Sequence, residues 1–150
     1  MKKYIGWIIL AVGIVVDQLT KFFAVKITSD IIIVNGLLNF SKVENYGSAF
    51  GVFKNVNGVF AIVSGIICIA LLAYIIYGEK KQLNITIGAF LILSGGIGNL
   101  IDRLFRGYVV DFIRTPFIDT FNVADSLIVI GCLWIIIEEV CRTIFSAKKL

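Results

Sequence analysis

Residues 56–77 and 83–101 run for 22 and 19 positions without a single charge. About 20 apolar residues cross the hydrocarbon core of a bilayer as a helix, and inside lipid only a helix or a closed barrel satisfies its own backbone. Two stretches of this kind constrain the chain more than anything else in it. Two more are apolar with polar groups gathered near their ends. Residues 4–25 include Asp17, Gln18 and Lys21, and residues 121–142 begin with Asn122 and Asp125 and end with Glu138, Glu139 and Arg142. The expected fold is an all-α membrane protein with four transmembrane helices, at roughly 4–25, 56–77, 83–103 and 121–142, in a single domain over 1–150.

The intervening segments predict a small external β-rich cradle. In "IIIVNGLLNFSKV", Asn35-Gly36 stands between β-prone runs, a hairpin signal, and "GYVVDFI" also has strand character. Lys2, Lys3, Lys80, Lys81, Arg142, Lys148 and Lys149 flank the spans on one face. By the positive-inside rule that face is cytoplasmic, with both termini inside. Lys26, Lys42, Lys54, Arg106 and Arg114 fall on the other face, so the bias is modest. The net charge of +4 thus reports topology. No basic run with interleaved aromatics forms a nucleic-acid patch, and no nucleic-acid partner is expected. The start "MKKYIGWIILAVGIVV" has the makings of a signal peptide, but no small-residue cleavage site follows, so a retained first helix is expected.

Three cysteines, Cys68, Cys132 and Cys141, have no metal-ligand spacing and are expected to serve packing. The chain contains no histidine. A Ser-His-Asp triad, a Cys-His pair and an HExxH zinc site are thereby excluded. Chemistry must come from carboxylates, lysines, serines or backbone.

On this topology the polar groups converge on the outer face. Asp17 and Lys21 stand four apart on one helix face and suit a bracing ion pair. Asn99, Asp102 and Arg103 also share a face, after Gly95, Gly96 and Gly98, which permit close helix approach. They suit either a polar clamp or a substrate contact, with Arg103 pairing to Asp102 or to a lipid phosphate. Asn122 and Asp125 resemble an N-cap arrangement. A carboxylate at membrane depth is costly and generally functional, which capping alone does not explain for Asp125. Asp111 lies among Val109, Val110, Phe112 and Ile113, where burial favours the neutral acid. Two aspartates sharing one proton, one activating water and the other protonating the scissile carbonyl, would form a peptidase dyad without histidine or metal.

The ordered motifs "DQLTK", "NYGSAFG", "GGIGNLIDR", "GYVVDF" and "FNVADS" closely resemble those of lipoprotein signal peptidase, or signal peptidase II, across nearly the whole chain. The resemblance implies a bacterial inner-membrane aspartic endopeptidase that needs no cofactor. Its substrates would be diacylglyceryl-modified prolipoproteins, cut just before the lipidated cysteine, in contact with membrane phospholipid and open to globomycin-type inhibitors. By motif, Asp111 and Asp125 become the catalytic dyad. Asn45, Asn99 and Arg103 become residues around substrate and inhibitor, with Asp17, Lys21, Asp102 and Asn122 in support. Tyr46 and Ser48 depart from the usual N-T-G-A-A-F pattern, and the stretch between the two aspartates is short. Two other readings compete: a Ser-Lys peptidase in which Lys21 activates Ser48, Ser94 or Ser126, and an ion pathway through Asp17, Asp102 and Asp125.

Overall fold

The computed structural model describes residues 2–47, 57–81 and 85–147. Four long helices form: α1 (Lys2–Ala24), α2 (Asn57–Lys80), α3 (Ile87–Phe105) and α4 (Val123–Ala147). Three strands accompany them: β1 (Ile31–Val34), β2 (Leu38–Asn45) and β3 (Val109–Arg114). Within α1, α2 and α3, the segments Tyr4–Ala24, Asn57–Lys80 and Ile87–Phe105 are each long and apolar enough to cross a membrane. The chain is a multi-pass membrane protein. Its large apolar side chains face outward, as lipid requires: Ile66 and Ile69 on α2, Val129 and Ile137 on α4.

Helix α3 is the centre of the bundle and packs against all three others. Half of its apolar window is buried inside the protein, against 11% for α2. Missing side chains make this possible. A Cβ on Gly88 would sit 2.5 Å from the Gly131 carbonyl oxygen, one on Gly131 would sit 2.7 Å from that of Gly88, and one on Gly95 would sit 2.2 Å from that of Ala124. Backbone therefore rests on backbone between α3 and α4, as the glycines of "GGIGN" led one to expect. Trp7 near the start of α1 donates to Glu79 near the end of α2 at 2.9 Å. Asn57 at the start of α2 reaches the Arg103 carbonyl near the end of α3. The helices thus alternate in direction, bringing the ends of α1 and α3 to the same side as the starts of α2 and α4.

Boundaries differ from expectation by a few residues. Helix α3 begins at Ile87 because Thr86 caps it, its hydroxyl accepting the Gly88 N–H at 3.2 Å. Helix α4 begins at Val123 because Phe121 is still held in a β-bridge to Ile113 and Asn122 is the cap. The sheet is antiparallel in the order β1-β2-β3. Its first hairpin turns at Asn35-Gly36, with Gly36 at φ 72°, a value glycine adopts without a Cβ clash. One face of β3 packs Val110 and Phe112 against Ala24 and Phe40, which seats the sheet on the end of α1. Of the three cysteines, only Cys68 is buried in packing; Cys132 and Cys141 are exposed on α4. Ser48, Lys54, Val56, Leu83, Lys148 and Lys149 lie outside the described residues.

Candidate active site

Where α1 and α3 end and α4 begins, a polar interior forms in this apolar chain. Lys21 is fully buried, and its ammonium meets Asp17 Oδ2 at 2.9 Å, Asp102 Oδ2 at 3.0 Å and Asn99 Oδ1 at 2.9 Å. All three of its donors are used. The expected Asp17–Lys21 pair is therefore present, but as part of a larger cluster. Asp17 Oδ1 accepts the Ala124 N–H at 2.9 Å, and Asp102 Oδ2 accepts the Val110 N–H at 3.0 Å. Asp102 Oδ1 pairs with Arg106, which also donates to Gln18 Oε1 at 3.3 Å. Gly98 makes room for this: a Cβ there would lie 2.5 Å from Asp17 Oδ2.

Asn99 faces two ways. Its Oδ1 accepts from Lys21 and from Asn122 Nδ2 at 3.2 Å, and its Nδ2 donates to Asp125 Oδ1 at 2.8 Å. Asn122 and Asp125 form the expected reciprocal cap: Asn122 Oδ1 accepts the Asp125 N–H at 2.9 Å, and Asp125 Oδ2 accepts the Asn122 N–H at 3.2 Å. The Asn122 Nδ2 also donates to Asp111 Oδ1 at 2.6 Å. One asparagine thus touches both aspartates.

Asp111 is 2% exposed. It pairs in register with Val43 across the sheet, so Asn45, two residues along β2, is its diagonal neighbour on the same face. The Asn45 Nδ2 donates to Asp111 Oδ2 at 2.8 Å, while its Oδ1 accepts the Gly47 N–H at 2.8 Å. Burial pushes the Asp111 carboxyl up to about 6; the Asn45 bond opposes that shift and the nearby Asp125 charge reinforces it. Among the described residues, each oxygen of Asp111 and Asp125 accepts one bond, leaving lone-pair capacity for a shared proton and a water. Such a pair can serve as base and acid together.

Arg103 corrects one expectation. It does not pair with Asp102, which Lys21 and Arg106 occupy. Its half-buried guanidinium lies 5.9 Å from the Phe60 ring centroid and has no ion-pair partner among the described residues, although Asp125, Asp111 and Asp102 all act on it electrostatically. A cation so placed suits a carbonyl or phosphate oxygen. Sequence reasoning missed Arg106 and Gln18 as members of the cluster. The signal for Arg106 was present, since it stands at i+4 from Asp102, on the same helix face. The Ser-Lys reading finds no contact here: Ser94 donates to the Leu10 carbonyl and Ser126 to that of Asn122, while Lys21 is fully engaged elsewhere. Ser48 lies outside the described residues.

A family described as signal peptidase (SPase) II matches residues 9–141. Among curated proteins, the lipoprotein signal peptidase of Caldicellulosiruptor bescii is 41% identical, covering 95% of this chain and 97% of its own. That of Clostridium tetani is 37% identical with the same coverage. A solved structure described as a bacterial membrane enzyme, obtained by the in meso method at 1.9 Å resolution, is 33% identical with a TM-score of 0.75. It covers 89% of this chain and 90% of that one. By sequence and by fold, then, the chain belongs to the signal peptidase II family.

Proposed function

We propose that this protein is an aspartic endopeptidase that removes the signal peptide from diacylglyceryl-modified prolipoproteins, with Asp111 and Asp125 as its catalytic dyad. The observation that carries the reading is the pair of carboxyls joined through Asn122, Asp111 buried and Asp125 partly buried, with the Asn122 amide donating to Asp111 and its backbone N–H to Asp125. Asp125 takes a proton from water as the water oxygen attacks the scissile carbonyl carbon, and protonated Asp111 delivers its proton to the carbonyl oxygen. The tetrahedral diol then collapses, breaking the C–N bond as a proton passes to the departing amine of the lipidated cysteine. Arg103, Asn45 and Asn99 border the substrate, with Arg103 suited to a carbonyl or headgroup phosphate oxygen. Globomycin-type peptides would compete for the same groove. Neither a cofactor nor a nucleic-acid partner enters this reading.

The chain is read as one domain with four spans in the bacterial inner membrane, both termini cytoplasmic and the dyad near the outer face. Helix α4, at 25 residues, is long enough to be the fourth span. In a cysteine-free background, single cysteines replacing Asn35 or Tyr108 should react with an impermeant thiol reagent in intact cells, and one replacing Lys80 only after lysis. Labelling at Lys80 in intact cells inverts this topology. The reaction itself is tested by incubating detergent-extracted protein with a prolipoprotein before and after diacylglyceryl transfer. Cleavage just before the cysteine, confined to the lipidated form, is expected. Equal cleavage of both forms would remove the lipid from the specificity.

A further inference from the structure

The buried charge cluster grips each aspartate of the dyad through the residue that precedes it. Asp102 accepts the backbone N–H of Val110, the neighbour of Asp111, and Asp17 accepts that of Ala124, the neighbour of Asp125. The two anchors belong to different helices, α3 and α1, and the Lys21 ammonium binds both, at 3.0 and 2.9 Å. Its third proton goes to Asn99 Oδ1, which turns the amide so that Nδ2 faces Asp125. We propose that Lys21, Asp17 and Asp102 are positioning residues, a bracket that sets the separation of Asp111 and Asp125 and the orientation of Asn99 without touching substrate. This rests on the dyad reading given above.

Simple bracing of the bundle explains the arrangement less well. Two cations, Lys21 and Arg106, balance two carboxylates, Asp17 and Asp102, so the cluster is neutral. Burying such charges yields little net stability, because lost hydration offsets the attraction. It does yield fixed geometry. Both carboxylates hold main-chain N–H groups, which place the chain rather than a rotamer, and both grips fall one residue before a reacting carboxyl. A misplacement of about 1 Å costs on the order of 100-fold in rate.

The test separates charge balance from positioning. Lys21→Met should lower kcat about 100-fold on a diacylglyceryl-modified prolipoprotein, with KM changed by less than about threefold. It also leaves one negative charge in excess. The double variant Lys21→Met with Asp17→Asn restores neutrality and should recover the melting temperature in detergent while staying slow, because Asn99 still lacks its cation. If kcat returns together with stability, Lys21 only balances charge and the proposal falls. Should neither lysine variant extract in folded form, Asp17→Asn and Asp102→Asn taken singly should each lower kcat about tenfold or more at nearly unchanged KM. Normal kcat in both overturns the bracket. Asp111→Asn, run alongside, tells the two failures apart: if it is active, the dyad assignment fails; if it is dead while the bracket variants are fully active, the bracket alone fails.

Discussion

Asp111→Asn and Asp125→Asn should each abolish cleavage of lipidated prolipoprotein, by about 10⁴-fold or more, while the detergent-extracted protein stays folded. The size follows from a dyad working as a unit: without either carboxyl there is no pair to move a proton both from water and to the carbonyl, so the two losses are not additive. The retained fold follows from where the groups sit. Both carboxyls take bonds from asparagine amides and a helix cap, and neither belongs to the Lys21 cluster. Asp102→Asn has the opposite profile. It removes one charge from the fully buried pair with Lys21 and from the pair with the partly exposed Arg106, and breaking a buried pair costs roughly 3–5 kcal/mol. Its activity therefore falls along with its melting temperature. Near-normal turnover in Asp111→Asn, beside a dead and well-folded Asp102→Asn, would transfer the catalytic role to Asp102.

Helices α2 and α3 could be read from the sequence because an uncharged run of bilayer length has few other fates, and the hairpin because Asn-Gly suits its turn. The convergence of Asp17, Lys21, Asn99, Asp102, Asn122 and Asp125 followed from topology alone. Three features were missed, the first of them legible in the helix spacing. Arg103 and Arg106 both neighbour Asp102 in sequence, and only helix geometry decides between them: the i+4 residue shares the face and the i+1 residue does not. The contact between Asn45 and Asp111 depends on strand register, which shifts between Phe40 and Val43. No local pattern marks that irregularity, and a slip of one residue would turn Asn45 to the other face of the sheet. The triple engagement of Lys21 was also hidden, since its partners Asn99 and Asp102 lie about 80 residues away on another helix.

Turnover should rise and then fall with pH. Around the dyad stand Asp17 and Lys21 from α1, Asp102, Arg103 and Arg106 from α3, and Asp125 at the start of α4; β2 contributes the neutral Asn45. With one proton on Asp111, the three cations in this group balance the three remaining carboxylates, so the resting dyad carries a single negative charge. Asp125 accepts N–H bonds from Asn99 and Asn122 at a helix N-terminus, an environment that suits the base of the pair. The proton belongs on Asp111, held up to about 6 by burial. Because its folded value exceeds the ordinary 3.8, the folded chain holds this proton more tightly than the unfolded chain. The resulting stabilisation is fully present below about 4 and is lost as pH rises through about 6. Activity uses the same proton. In acid, the pair loses its remaining negative charge and water loses its base; in alkali, Asp111 loses its proton and the carbonyl loses its acid. The two groups are coupled, so the observables are two macroscopic values for the pair. The alkaline limb of kcat/KM, which reports the free enzyme, should therefore lie near 6. The limb of kcat should lie higher, because bound substrate strips more water from Asp111 and strengthens its hold on the proton. Both profiles are measured on lipidated substrate, with folding checked at each extreme. If kcat/KM climbs steadily to pH 10 in a protein that stays folded, the base is a lysine and the shared proton does not exist.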